Sequence, residues 1–591
     1  SIGNNSFSCN PALVSFTFEA GTQIKSFGTS LIANCPLIET FTVPKSVTTL
    51  GNNDFENCTS LKSVIFEEGS ALTSVGSSTF KASGIVSITF PEGVTTFTTV
   101  KSPKVTTSNT LFQDCVNLTS VTFGSKTTFL AKQMFKGCTA LETINIPDTV
   151  TMIGAECFKG CTALKTVNFG ENSQVTKIGE SCFAESGLES IVLPASFTKF
   201  GYGSSYSTNV SSSGKQFLNC KSLTSVEFKG KLEVICGYVF QGCEALETID
   251  IPASVTTIGN SSFLDCTALK TVTINSSGAL VIGSNAFKNT AIASVTIPKG
   301  TTKIDSNAFK GCANLTTVDF AAGTATLALG TGVFESCTAL TSIALPDRVK
   351  ALPNYAFRYD SALENITFNK VTSIGNGAFN GAKALKSVTL PATLTKIGSD
   401  AFLNSGLESI TIPKATTSIA ENVFAGCGSL ATFNVEAGNT KYGVNIGALV
   451  EISGGVSKII ALPCGLKGVL TVPEGTVLGG YALNGMSGIT QVILPEGTTK
   501  IEANAFRFSK VTSVVIPSTV TEIGNYAFAD SSITSIVIPA TVTTIGNYAF
   551  CDSENLASIT FEDGSQLVEL GTHVFEGTAI QSIELPAGIV R

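Results

Sequence analysis

The chain has no tryptophan and one histidine, His573, among 591 residues. One imidazole cannot build a multi-histidine metal centre, and any Ser-His-Asp or Cys-His arrangement would have to form around that residue alone. His573 stands in "GTHVF", where other units place Asn, Tyr or Ser, so it reads as an exposed turn residue. No Cys-x-x-Cys occurs, which removes the usual zinc and redox spacings, and there is no glycine-rich phosphate loop. Charge is also scarce: 14% of residues are charged, the net charge is -7 and the pI is near 5.1. Nucleic-acid binding wants a clustered basic face, so nucleic acid is not an expected partner. No apolar run approaches the about 20 residues of a membrane-spanning helix. The first residues, "SIGNNSFSCN", lack the basic start and the apolar block of about 7–15 residues of a signal peptide. The expectation is no enzyme, no cofactor, no catalytic or metal-binding residue and no membrane insertion.

What the chain does have is one line written many times. "VTSVVIPSTVTEIGNYAF" runs from Val511 to Phe528, and "ITSIVIPATVTTIGNYAF" follows from Ile533 to Phe550. Self-similarity at a fixed period marks a solenoid, whose units cannot bury their apolar faces without neighbours. Anchoring each unit on the Phe that closes "IGxxAF" gives Phe55, Phe80, Phe158, Phe263, Phe402 and many others, with Leu31 and Leu483 as substitutes. The units run to about 22–25 residues. In "SVTIP" the alternation points Val295 and Ile297 inward and Ser294 and Thr296 outward. Pro298 then ends the strand because it cannot donate to a ladder. The "VxxI" pair predicts a second short extended segment, Gly259 and its equivalents are expected to supply unusual backbone angles, and "SNAFKGC" is expected to be a short helical turn.

Two Ser/Thr-rich insertions lengthen the intervals Phe80 to Phe112 and Phe183 to Phe217, and both are expected to project from one edge. The pattern thins over 433–482, surviving as strands near Leu449–Ile452, Ile459–Leu462 and Val469–Val472. The expected organisation is an N-terminal array over 1–432, an irregular β-rich block over 433–482 and a C-terminal array over 483–591. Both ends read as cut from a longer protein, because solenoids normally carry polar caps.

The consensus "CxxLxxVxIPxxVxxIGxxAFxG", with "GCTALKTVNF", "GCTALTSIALP" and "ETINIPDTVTMIGAECFKGC", resembles the BspA-like branch of leucine-rich repeats, also called the Treponema pallidum class. The resemblance covers essentially the whole chain. It implies a repeat solenoid, a curved right-handed array with a parallel β-sheet on its concave face. It also implies a surface protein of the kind implicated in adhesion, without a shared ligand motif to carry over.

Of seventeen cysteines, Cys58, Cys115, Cys138, Cys161, Cys220, Cys243, Cys266, Cys312, Cys337 and Cys427 fall three residues after an anchor. Other units put Asp360, Ala382, Ser405 or Ser531 there, so the slot is small and semi-buried and the thiols are expected to be free. A few bridges, such as Cys157 to Cys182, are the alternative, since the coil spacing falls within disulfide reach.

The outward residue at the middle of the main strand varies most. It defines a candidate concave ligand patch of Asn145, Asn168, Glu227, Asp250, Thr273, Thr296 and Asp319, in which Glu227 and Asp250 are like-charged neighbours. A weak cation site there is a lesser alternative to a solvated face. Sequons make Asn209, in "GSSYSTNVSSSG", the foremost candidate glycosylation site, followed by Asn117, Asn260, Asn275, Asn314 and Asn365. The expected function is an extracellular or cell-surface protein that mediates adhesion or protein binding. Its partners would be host or microbial surface or matrix proteins, or copies of itself. The alternative is a structural subunit of a surface layer or filament, assembled through open solenoid ends or edges.

Overall fold

A computed structural model describes residues 1–97, 107–201, 213–484 and 486–590. The chain forms two compact units, Ser1–Ala325 and Thr326–Arg591. Each is a stack of coils, and most coils give a main strand, a short second strand and the anchor turn. In the coil from Ser294, the main strand is Ser294–Ile297 and the second is Thr301–Ile304. Val295 and Ile297 are buried while Ser294 and Thr296 face solvent, as the alternation requires. Equivalent strands pair in parallel and in register, for example Ser294–Ile297 with Thr317–Phe320.

The anchor segment is not the expected helical turn, and no helix occurs among the described residues. It is instead a third ladder. The N–H groups of Asn285, Phe287 and Asn289 donate to the carbonyls of Ser306, Ala308 and Lys310 in the next coil at 2.8–3.0 Å. The intervening N–H groups of Ala286 and Lys288 turn back to Gly283 and Asn285. This alternation needs Asn285 and Asn289 in the left-handed region, at φ 55° and 59°, which Asn tolerates better than most residues. A helix would spend all its donors within the coil and leave the stack unjoined.

The anchors form a spine. From Phe55 to Phe309 successive rings stack with centroids 5.1–5.4 Å apart. Full burial of each ring is worth about 1.5–3 kcal/mol, and each aromatic contact adds about 0.5–1.5 kcal/mol. The Gly after "VxxI" has a different role from the one expected. Gly259 does not have positive φ. A Cβ there would lie 2.4 Å from the Gly237 nitrogen and 2.6 Å from the Cys236 carbonyl carbon of the preceding coil, so it is close approach that demands glycine.

Proline does more than end the strand. In coils without it, the residue after the strand donates back to the preceding coil, as Lys229 N–H does to Leu193 O at 3.1 Å and Ala321 N–H to Ile297 O at 2.9 Å. Pro91, Pro147, Pro194 and Pro252 have no such donor, and the main ladder is interrupted just before each of their strands. The main sheet of the first unit is therefore joined in pairs of coils up to Pro252, after which four strands run together, the one before Pro298 held to its predecessor by the single pairing of Thr271 with Ser294.

The 98–106 and 202–212 insertions lie outside the described residues. The described chain ends before them at Phe97 and Gly201 and carries the isolated bridges Ser108–Lys132 and Ser213–Gly237 after them. In the second unit, Tyr442–Asn445, Ala448–Ser453 and Val456–Ala461 form an antiparallel meander. Its last strand returns to parallel pairing with Thr476–Leu478, and its buried residues share a core with the coils that follow. The anchor ladder reaches Val423 and Ala425 from Phe402 and Asn404. Beyond it, the N–H groups of Asn422, Phe424 and Gly426 find no backbone acceptor among the described residues. The next anchor turn, at Leu483, is tied to this one by Asn484 Nδ2 donating to Asn422 Oδ1 at 3.0 Å.

Candidate binding face

The outward positions of the main strands form an exposed face on the first unit. Asn145, Asn168, Glu227, Asp250, Thr273, Thr296 and Asp319 are all exposed, each between two inward residues of its strand. Register places Asn145 beside Asn168, Asp250 beside Thr273, and Thr296 beside Asp319. Asn168 Nδ2 donates to Asn145 Oδ1 at 2.8 Å. Val192, 41% exposed, lies beside Glu227. Glu227 and Asp250 sit in adjacent coils across the ladder break before Pro252, where Glu247 N–H donating to Thr224 O at 3.3 Å keeps the coils together. An open cleft lies at the break before Pro194, lined by Asn168, Glu171, Ser190, Val192 and Lys229 among others.

Most charges bordering this face are solvated. Lys165 pairs with Glu189 at 3.5 Å, both side chains 59% exposed, which is worth little in water. Among the described residues no group of three or more His, Cys, Asp or Glu side chains is disposed to hold a metal. No described helix is long and apolar enough to cross a membrane. His573 stacks on Tyr548 at 4.8 Å and its Nδ1 lies 2.7 Å from Glu576 Oε2, in a left-handed turn on the surface.

Asn209 lies outside the described residues. Asn117, Asn275, Asn314 and Asn365 are exposed, while Asn260 is half-buried and its Oδ1 accepts the Ser284 N–H at 2.9 Å. The sequons are dispersed and do not converge on one site.

All seventeen cysteines are free thiols, Cys157 and Cys182 included. The cysteine slot does something the sequence reading missed. Cys161 Sγ donates to Phe135 O at 3.0 Å, Cys266 Sγ to Phe240 O at 3.0 Å and Cys312 Sγ to Phe287 O at 3.1 Å. Burial pushes the Cys58, Cys115 and Cys161 thiols up to about 12, so they remain protonated donors. The Asn that follows "IG" was missed as well. Asn260, Asn376, Asn525 and Asn547 each accept an N–H from the next coil through Oδ1. The recurrence of Gly-Asn at that point was the available signal.

The fold and face define a leucine-rich-repeat solenoid with a polar, variable main-sheet surface. The BspA type leucine rich repeat region matches six times, over residues 1–101, 99–211, 207–316, 280–405, 352–446 and 476–591, and the chain belongs to that family. Among solved structures, a leucine-rich repeat protein from Bacteroides ovatus is 22% identical, covering 73% of this chain and 92% of its own, with a TM-score of 0.47. The pneumococcal vaccine antigen PcpA is 19% identical over 58% of this chain and 82% of its own, TM-score 0.38. The leucine rich repeat protein of T. pallidum is 24% identical over 36% and 72%, TM-score 0.21. No curated protein matches the chain.

Proposed function

We propose that the chain is a non-catalytic extracellular or cell-surface protein that binds host or microbial surface and matrix proteins through the main-sheet face of its first unit. One observation carries this reading. The inward strand positions repeat Val and Ile, while the outward positions of neighbouring coils change from amide to aliphatic to carboxylate to hydroxyl. Solenoid stability needs only the inward set and the ladders, so the varied outward set is free to serve recognition. Like charges at Glu227 and Asp250 oppose stacking and are consistent with a surface selected for something else. The test is to present the folded protein to immobilised matrix proteins and intact microbial cells, then map protection by hydrogen exchange. Protection confined to main strands from Thr143 to Phe320 supports the reading. Binding that protects only the anchor turns, or polymers of the chain alone that persist on dilution, would replace it.

A further inference from the structure

The interrupted anchor ladder between the Phe424 and Leu483 turns leaves a narrow cavity, lined by Cys427, Cys464, Met486, Asn422, Asn484 and Tyr481 among others. We infer that this cavity is a binding site for Cu(I), held by the thiolates of Cys427 and Cys464 and the thioether of Met486.

Three sulfur-bearing residues line one cavity here because the irregular block omits one anchor turn. Cys427 is the third residue after Phe424, and Met486 is the third after Leu483, so they hold the same place in successive turns. Cys464 enters beside them, its N–H donating to Leu430 O at 2.7 Å. Cys427 and Met486 are buried and Cys464 is half-buried, which gives an ion a way in. Two thiolates and a thioether form a soft donor set that favours Cu(I) over hard, oxygen-seeking cations.

The surroundings suit a site of net charge -1. No carboxylate residue is among the cavity's lining, and Asn422, Phe424 and Gly426, whose N–H groups have no backbone acceptor among the described residues, line it too, as N–H donors do at other thiolate-bound metals. Cys427 Sγ now donates to Phe402 O at 3.0 Å, and Ser405 Oγ lies 3.3 Å from it. Binding removes one proton from each thiol to solvent and forms two Cu–thiolate bonds and one Cu–thioether bond. The ion enters already reduced, so no electron is transferred. The Ser405 hydroxyl then becomes a donor to the thiolate.

The test uses the full chain with the exposed Cys9 changed to Ser, reduced and titrated anaerobically with Cu(I) against a chromogenic chelator. The expected result is one equivalent withheld from the chelator, with two protons released per ion. Cys464→Ser should abolish retention and Met486→Leu should weaken it at least tenfold, while Cys551→Ser leaves it unchanged. X-ray absorption on the unsubstituted chain should show three sulfur neighbours, which keeps the proposal testable if a variant fails to fold. No retained equivalent, equal retention in all variants, or a nitrogen and oxygen shell would overturn it.

Discussion

The thiol of Cys312 donates to the carbonyl oxygen of Phe287, 3.1 Å away in the preceding coil. The same relationship recurs at Cys115, Cys138, Cys161, Cys220, Cys243, Cys266 and Cys427, so a residue that reads as a small apolar filler also gives a donor to the preceding coil. Ser553 reproduces it, with Oγ 2.6 Å from Phe528 O. Cys161→Ser should therefore be nearly neutral. Cys161→Val removes the thiol donor and leaves Phe135 O with the Cys138 N–H alone, 3.1 Å away, and should cost about 0.5–1.5 kcal/mol. Denaturant unfolding of the two variants checks the difference.

The glycine after "VxxI" gives a second prediction. Gly259→Ala places a methyl 2.4 Å from the Gly237 nitrogen, against backbone rather than a side chain that can turn away. The neighbouring coils must separate, at a cost of about 1–3 kcal/mol. Gly278→Ala meets nothing within 4 Å and should leave the unfolding midpoint unchanged.

Asp54 carries a pH dependence. Burial raises its carboxyl to about 7, although the N–H groups of Leu31 and Gly51 donate to it at 3.1 and 2.6 Å. The folded state therefore holds the proton more tightly than the unfolded state, whose value is 3.8. By linkage, this contribution to stability is complete below that unfolded value and is lost as pH rises through about 7. Hydrogen exchange of the Phe55 amide, which bonds to Thr79 O, should quicken relative to intrinsic rates between pH 5 and pH 8. An unchanged opening free energy across that range would show that Asp54 titrates normally.

The interrupted ladder predicts a local weak point. Amides of Asn422 and Phe424 should exchange far sooner than those of Asn285 and Phe287, whose bonds to Ser306 and Ala308 are 3.0 and 2.8 Å. Equal protection at the two places would mean that the stack is continuous there.

Much of the architecture was legible because the repeat is written in side chains of strict placement. Val295, Ile297 and the Phe spine follow from periodicity alone, and the family follows from the consensus. The anchor turn was misread as helical because "SNAFKGC" holds good helix formers. The ladder that overrides them depends on left-handed Asn285 and Asn289 and on carbonyls a full coil away, which no local window contains. Gly259 was assigned to backbone angle for the same reason, since its true constraint is the chain beneath it. The candidate face was found as the variable outward position, but the breaks before Pro194 and Pro252 that divide it needed the observed pairing. Asn209 and its insertion fall outside the described residues.

The central claim is that the outward residues of the main strands bind while the inward residues fold. The most direct measurement is binding of Glu227→Lys/Asp250→Lys to the matrix proteins or cells that retain the unsubstituted chain, with thermal unfolding followed on the same samples. Both residues are exposed and the double variant keeps a like-charged pair at the same two positions, so the unfolding midpoint should stay about the same, and binding should fall at least tenfold. Undiminished binding by a folded double variant would contradict the account.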